Sequence, residues 1–115
     1  MTEKGTIDLN KSLSIIHHIV IASNYHKDCN LLLDVREVDG TLNHLDIVKV
    51  AMELVFFKDS FRNKIAILDR DIMDYYEKNE YLKSRLKPHD FQIEFFYDNF
   101  EQAIEWLSDI KMGEL

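Results

Sequence analysis

The fold of this chain is decided by one stretch near its end, residues 91–107, which reads FQIEFFYDNFEQAIEWL. Residues 91–97 form an apolar, strand-like run, and the residues after Asp98 have the apolar spacing of a helix. Asn99 and Gln102 are spaced as a capping box, so we predict a strand over residues 91–97 and a helix over residues 100–111.

Two segments upstream have the character of the same buried strand. They are LLLDV at residues 31–35 and KIAIL at residues 64–68. Neither alternates between polar and apolar residues, which is expected of strands buried on both faces of a parallel sheet. The first strand is predicted to end in a loop over residues 37–41, which contains Asp39-Gly40.

Helices are predicted before and between these strands. Apolar residues recur at helical spacing over residues 9–24, 42–57 and 72–86, and Asp8 and Thr41 can cap the first two helices. The residues predicted to face the core from the second and third helices are Leu45, Val48, Met52, Val55, Ile72, Tyr75, Tyr76, Leu82 and Leu86. Together the segments follow the order α-β-α-β-α-β-α, with room for one more strand at the N-terminus.

Length and composition fit one domain, residues 1–115. The chain has 115 residues, of which 46% are hydrophobic and 30% charged, with one proline and three glycines. Such a composition is ordinary for a globular chain and argues against a disordered one. The predicted fold is therefore α/β, a small parallel or mixed sheet with flanking helices.

Charge and cysteine content limit the classes of partner and compartment. A net charge of −7 argues against nucleic acid as a partner, because phosphate contacts need concentrated cations. Cys29 is the single cysteine and cannot form an internal disulfide, so we expect a reducing, cytoplasmic environment. No apolar stretch approaches the ~20 residues of a membrane span. The basic cluster, which fits a helix C-terminus or a phosphate or anionic-lipid patch, is Lys78, Lys83, Arg85 and Lys87.

Acidic side chains follow the predicted strands. Parallel strands joined by helices bring their C-terminal ends to one sheet edge, where the ligands of open α/β sheets bind. The candidate ligand or partner residues at this rim are Asp34, Glu37, Asp39, Asp69, Asp71 and Asp98, with Asn99 beside them. Carboxylates there can cap helices, bind a hard cation such as Mg²⁺, or act as acid and base, and helix capping is the simplest of the three.

The histidines and the cysteine do not form a recognisable chemical site. His26 and Cys29 have the spacing of metal ligands, but zinc needs four protein ligands, or three and water, and no second pair is present. Cys29 as a nucleophile would need a base, and His26 or His44 could serve only if the fold happened to bring one of them next to it. The glycines are isolated and form no phosphate loop. We expect no catalytic residue, no metal and no cofactor.

Three motifs carry a family resemblance. They are LLLDVR at residues 31–36, KIAIL at residues 64–68 and FYDNFEQAIEWL at residues 96–107, with the closing pattern aromatic-x-Asp-x-x-x-Glu/Gln-Ala-x-x-Trp-Leu. The chain resembles, over residues 7–107, the bacterial SpoIIAA-like family, whose members are similar to STAS (anti-anti-sigma-factor) domains and to the CRAL-TRIO lipid-binding fold. The resemblance implies a mixed sheet flanked by helices, a role in protein interaction or in binding a small apolar ligand, and no catalytic residue.

The chain departs from the STAS pattern at two places. Signalling STAS proteins begin the helix after the Asp-bearing strand with a phosphorylatable serine, and the matching positions here are Leu42, Asn43 and His44. Thr41 is the only hydroxyl nearby; it is the one phosphorylation candidate, and capping is its simpler role. Such domains also usually begin with two further strands, whereas the first helix here is predicted to start at residue 9. We therefore expect one bare sheet edge.

These observations lead to a functional expectation with alternatives. We expect a regulatory or protein-interaction module of the STAS type that lacks the phosphorylatable serine and binds a protein partner. A homodimer is also expected, through the bare edge or the wide apolar face of the first helix. The alternative is a CRAL-TRIO-like carrier of a small apolar ligand or lipid, which predicts a sizeable apolar cavity. An enzyme that uses the acidic rim is the third candidate.

Overall fold

Strands and helices alternate along the chain in this computed structural model, which describes residues 1–24, 29–40 and 42–108. The strands are β1 (Thr2–Thr6), β2 (Leu31–Asp39), β3 (Ile65–Asp69) and β4 (Ile93–Tyr97). The helices are α1 (Leu9–Ser23), α2 (His44–Phe56), α3 (Met73–Leu86) and α4 (Phe100–Ser108). Short 3₁₀ turns at Lys58–Ser60 and Lys87–His89 follow α2 and α3, and the second of them contains Pro88.

The four strands form one sheet in the order β1-β2-β3-β4, and each neighbouring pair is parallel. Leu33, Ile67 and Phe95 lie in one row across β2, β3 and β4. The prediction that three apolar segments lie side by side in the same direction is confirmed. The sequence left open whether the sheet is parallel or mixed, and the described strands form a parallel sheet.

An N-terminal strand covers the edge that we expected to be bare. β1 pairs with β2, with Thr6 opposite Asp39, and the Ile7 amide donates to the Asp39 carbonyl at 2.9 Å. These bonds keep β2 extended as far as Asp39, so the predicted loop over residues 37–41 is wrong for residues 37–39. The sequence of β1, TEKGT, has no periodic pattern of apolar residues, because the strand is mostly exposed. The pattern of apolar residues therefore did not indicate a strand at these positions.

Both faces of the sheet are packed against helices. On one face α1, α2 and α3 lie over a core whose buried members are Ile15, Ile16, Ile19, Leu33, Val50, Ala51, Leu54, Phe61, Ile65, Leu86, Ile93 and Phe95. On the other face α4 covers Ala66, Leu68 and Phe96 through Ala103, with Trp106 packed beside them. Leu68 is fully buried because it lies on a strand covered on both faces. The continuous apolar character of β3 follows from this double burial.

Helix starts agree with the predictions in two of four cases. The Asp8 carboxylate accepts from the Lys11 amide at 2.7 Å, and the Asn99 side chain accepts from the Gln102 amide at 3.0 Å, so both predicted caps are confirmed. Helix α2 starts at His44 rather than at residue 42, and its cap is Asn43. Thr41, the predicted cap, lies outside the described residues. Helix α3 starts at Met73, with no side-chain cap.

The predicted inner face of α2 is wrong for Leu45 and Met52, whereas Val55 packs against the core as predicted. Leu45 and Met52 are 63% and 65% exposed, whereas the buried residues are Ile47, Val50, Ala51 and Leu54. The helix carries apolar residues on both sides, so spacing alone could not choose between them. On α3, Leu86 is buried as predicted, but Ile72 and Tyr76 are exposed. Among the described residues no helix has both the length and the apolar character needed to cross a membrane.

Candidate functional site

The predicted rim lies at the C-terminal ends of the strands, but its carboxylates lie at different positions along the strand direction. Asp34 is opposite Leu68 within the sheet rather than in a loop, because β2 continues to Asp39. Glu37 lies further along β2, opposite Lys4 of β1, and is exposed. Asp69 is the last residue of β3. Asp34 therefore lies in the middle of β2, whereas Glu37 and Asp39 lie at its C-terminal end.

Hydrogen bonds join the loops after β3 and β4. The Asp71 amide donates to the Asp98 carboxylate at 3.1 Å, and the Asp98 amide donates to the Asp69 carbonyl at 2.8 Å. Asp98 has a positive φ of 51°, in the left-handed region where aspartate is tolerated better than most residues. Asp69, Asp71 and Asp98 thus lie together, with Asn99 following as the cap of α4.

Helix capping, the simplest interpretation of these carboxylates, is not what the structure shows for α1, α2 or α3. The residues before those helices are Asp8, Asn43 and Ile72, and none of them is a rim carboxylate. The described part of the chain also holds no group of three or more His, Cys, Asp or Glu side chains that could bind a metal ion. Cys29 is exposed, and His26 lies outside the described residues.

Two arginines, which the sequence analysis did not identify, reach into the rim. Arg36 donates from Nε and Nη2 to the two carboxylate oxygens of Asp34, at 3.1 and 2.9 Å. These hydrogen bonds hold the pKa of the Asp34 carboxyl below its usual value, and Asp34 in turn raises the pKa of Arg36. Residues two apart on a strand point to the same side, so the pair could have been predicted had β2 been extended past residue 35.

Arg70 connects the end of β2 to α3. Its Nη2 donates to the Val38 carbonyl and to the Tyr75 hydroxyl, both at 2.8 Å, and lies 3.3 Å from the Asp39 carboxylate. Its guanidinium also lies over the Tyr75 ring, 5.3 Å from the centroid. The rim is therefore a network of mixed charge rather than an open cluster of carboxylates.

A small cavity of about 130 Å³ lies beneath this rim, between the sheet, α2 and α3. Its lining residues are Ile7, Val35, Val38, Gly40, Leu42, Ile47, Asp69, Tyr75, Lys78, Asn79 and Leu82. The Asp69 carboxylate is buried, and it accepts from the Arg70 amide at 2.8 Å and from the Asn79 side chain at 3.0 Å. Lys78 donates to the Leu42 carbonyl at 2.6 Å. On neighbouring β4, burial raises the pKa of the Tyr97 hydroxyl to about 12.

A second candidate surface is the outward side of α2, whose residues Leu45 and Met52 the sequence analysis placed in the core. We define the α2 outer face as Leu45, Lys49, Met52 and Phe56, all of which are exposed. Phe56 is 79% exposed, more than either Leu45 or Met52. Spacings of seven and four residues place the three apolar side chains on one side of the helix.

A groove of about 330 Å³ continues this surface toward α3. Its lining residues are Ala51, Met52, Val55, Phe56, Arg85 and His89. Arg85 is exposed at the α3 side of the groove, and Lys49 is exposed on the α2 outer face itself. The apolar surface is thus bordered by cations, although the chain as a whole is acidic.

The apolar face of α1, predicted as a dimer surface, is used within the chain. Ile15, Ile16 and Ile19 are buried in the core. On its α2 side, His17 Nε2 lies 2.9 Å from Glu53 Oε1, and the His17 ring meets Phe57 edge to face at 5.7 Å. Ile21 remains exposed near the end of the helix.

Comparison with known proteins gave no match: no family model, no curated protein and no solved structure matches this chain.

Proposed function

We propose that this chain is a non-catalytic protein-interaction module and that the α2 outer face is its binding surface. The observation that carries the proposal is the exposure of Leu45, Met52 and Phe56 on one side of a helix whose other side is buried in the core. The resemblance to SpoIIAA-like and STAS domains suggested the same class of function, and it stays a prediction.

Exposed apolar side chains of this size are informative when they cluster. A helix that is apolar on all sides normally lies inside a protein, and contiguous apolar patches on a surface mark interaction sites. The opposite side of α2 already supplies Ile47, Val50 and Leu54 to the core. The outer face therefore does not contribute to the core, and a bound partner would remove Met52 and Phe56 from water.

The charges around the groove define the chemistry of the partner. Lys49 and Arg85 border apolar residues that a helical segment could contact with side chains one and two turns apart. Acidic residues on the rim of that segment would face these cations, which favours encounter and orientation. The proposed partner is thus a protein that presents an amphipathic helix with large apolar anchors and flanking Asp or Glu.

The homodimer stays a prediction, and the sheet edges are poorly suited to form it. On β1, Lys4 is exposed and the register to β2 shifts between Thr2 and Lys4. On β4, Glu94 accepts from Lys83 at 2.6 Å, and this ion pair raises the pKa of Lys83. Lysines, irregular register and charged side chains are the features that keep natural sheet edges from pairing. Self-association through the α2 outer face is one outcome of the test below.

The alternative, a carrier of an apolar ligand, fits the geometry less well. Pockets for drug-sized ligands have volumes of roughly 300–1,000 Å³ and enclose most of the ligand. Four clefts in the described residues have volumes of about 130, 220, 250 and 330 Å³, and the last of these is the surface groove beside α2. Native mass spectrometry of protein purified from cells tests this alternative, because a carrier would retain its lipid.

The binding surface is tested by comparing two variants of exposed residues. Partners captured from the source cell with the wild-type chain are purified, and their affinity is measured by calorimetry for the wild type, for Met52→Glu with Phe56→Glu, and for Met73→Glu. Met73 is a matched control, because it is a 75% exposed methionine on another helix. We expect binding to be lost in the double variant and kept in the control.

Charge reversal then tests the chemistry of the partner. Lys49→Glu with Arg85→Glu should weaken binding and reduce its dependence on salt, since both cations border the apolar surface. A purified partner that binds the Met52→Glu, Phe56→Glu variant as tightly as the wild type would show that the surface lies elsewhere. Sedimentation of the purified chain alone reports self-association.

A further inference from the structure

The small cavity beneath the rim contains a buried carboxylate without a cationic partner. Asp69 is 8% exposed, and its hydrogen bonds come from the Arg70 backbone amide and the Asn79 side-chain amide, both neutral donors. No ion pair to Asp69 occurs within residues 1–24, 29–40 and 42–108. Buried carboxylates are normally paired with a cation, because desolvation of an isolated charge is unfavourable. A cationic group in the cavity would supply the missing partner.

The same cavity offers donors for an anionic group at its α3 side. Lys78 lines the cavity, and only one of its three ammonium protons is used in the hydrogen bond to the Leu42 carbonyl. Tyr75 also lines the cavity, and its hydroxyl accepts from Arg70, which leaves its own proton to donate. Most of the remaining lining is apolar, from Ile7, Val35, Val38, Leu42, Ile47 and Leu82, and Asn79 is the other polar side chain in it.

We propose that this cavity binds a small zwitterion, an α-amino acid with a short apolar side chain. The juxtaposition that carries the proposal is a buried carboxylate without an ion pair, Asp69, and a lysine, Lys78, in the lining of one mostly apolar cavity. The ligand's ammonium group lies at Asp69, its carboxylate lies at Lys78 and Tyr75, and its side chain contacts the apolar wall. This site is separate from the α2 outer face.

The size of the cavity limits the ligand. A volume of about 130 Å³ is below the roughly 300–1,000 Å³ of pockets that hold drug-sized ligands. A small amino acid such as alanine or valine is therefore a better match than a fatty acid or a nucleotide. A metal ion is a poor occupant, because the described residues contain no group of three or more His, Cys, Asp or Glu side chains placed to hold one.

Isothermal titration calorimetry with three probes separates the contributions of the two charges. The probes are L-valine, isobutylamine, which lacks the carboxylate, and isovalerate, which lacks the ammonium group. We expect valine to bind most tightly, isobutylamine to bind more weakly, and isovalerate to give no heat. Isovalerate binding as well as valine would overturn the proposal, because the ligand would then be recognised without Asp69.

Variants assign the binding to the cavity. Asp69→Asn should weaken valine binding by about tenfold or more, the change expected from one charged hydrogen bond. Lys78→Met should bring valine down to the affinity of isobutylamine. Lys87→Met, at an exposed lysine just beyond α3, is the matched control and should change nothing. Circular dichroism melting of each variant reports whether it is folded.

Two further outcomes contradict the proposal: no heat with valine at millimolar concentration in the folded wild type, or unchanged affinity in folded Asp69→Asn. Valine titrated into the Met52→Glu, Phe56→Glu variant should bind normally. Failure of the ligand site is therefore distinguishable from failure of the proposed interaction surface.

Discussion

Arg36 donates to both carboxylate oxygens of Asp34, at 3.1 and 2.9 Å, from a position two residues further along β2. The Asp34 side chain is 19% exposed and that of Arg36 is 38% exposed, so the pair is partly shielded from water. The Arg36 amide also donates to Asp34 at 3.0 Å. This local network ties the side chains to the strand that carries them.

The Asp34–Arg36 pair predicts a pH-dependent contribution to stability. The pKa of Asp34 is lower in the folded chain than its ordinary value of 3.8, so its stabilising effect is present above pH 3.8 and is lost as the pH falls through the folded pKa. At neutral pH, Asp34→Asn should lower the free energy of unfolding by about 1 kcal/mol. The difference between wild type and variant should shrink as the pH falls below 3.8.

Urea unfolding across this acidic range provides the measurement. The matched control is Asp59→Asn, because Asp59 pairs with Arg62 at 3.0 Å but its side chain is 80% exposed. The control should differ little from wild type at any pH, since exposed ion pairs contribute little. A difference between wild type and Asp34→Asn that stays constant with pH would contradict the assigned pKa shift.

The orientation of α2 predicts unequal effects of alanine substitution at two nearby apolar residues. Ile47 is 4% exposed and Leu45 is 63% exposed. Ile47→Ala should lower the free energy of unfolding by roughly 2–4 kcal/mol, because it leaves a cavity in the core. Leu45→Ala should change it by no more than about 0.5 kcal/mol. Denaturant unfolding of both variants decides which side of the helix faces the sheet, and the reverse order would contradict this structure.

The α2 result illustrates what the sequence could and could not predict. The strands β2, β3 and β4, their parallel direction and the capped starts of α1 and α4 followed from local patterns of apolar and capping residues. The orientation of α2 did not, because Leu45 and Met52 have the same helical spacing as the residues that are buried. Strand β1 was equally hard to predict, since its residues are exposed and its order comes from pairing with β2.

The rim shows the same limit. The sequence placed six carboxylates near the strand ends, but it did not show that Arg36 and Arg70 lie among them. Arg36 reaches Asp34 because β2 is extended by its pairing with β1, which is a long-range effect. Arg70 reaches Val38 and Tyr75 only after β3 and α3 are packed. The cavity around Asp69 is lined by residues of β2, β3 and α3, so it too forms only when these elements pack together.

Asn79 is predicted to support the buried Asp69 carboxylate. Its side-chain amide donates to Asp69 at 3.0 Å. Asn79→Ala should lower the free energy of unfolding by about 1–3 kcal/mol, because it leaves a buried charge short of one donor. Adding Asp69→Asn to this variant should recover part of the loss, since the remaining group is then neutral. Thermal unfolding of the single and double variants measures the coupling, and additive losses would contradict the contact.

Tyr97 is predicted to reduce stability at alkaline pH. Burial raises the pKa of its hydroxyl from 10.0 to about 12, so the folded chain retains this proton in a range where the unfolded chain loses it. The stability due to Tyr97 is complete below pH 10 and is lost as the pH rises toward 12. Tyr97→Phe should remove this part of the alkaline loss, because the variant has no hydroxyl at this position to lose a proton. Denaturant unfolding between these pH values tests the prediction, and parallel pH curves for wild type and Tyr97→Phe would contradict it.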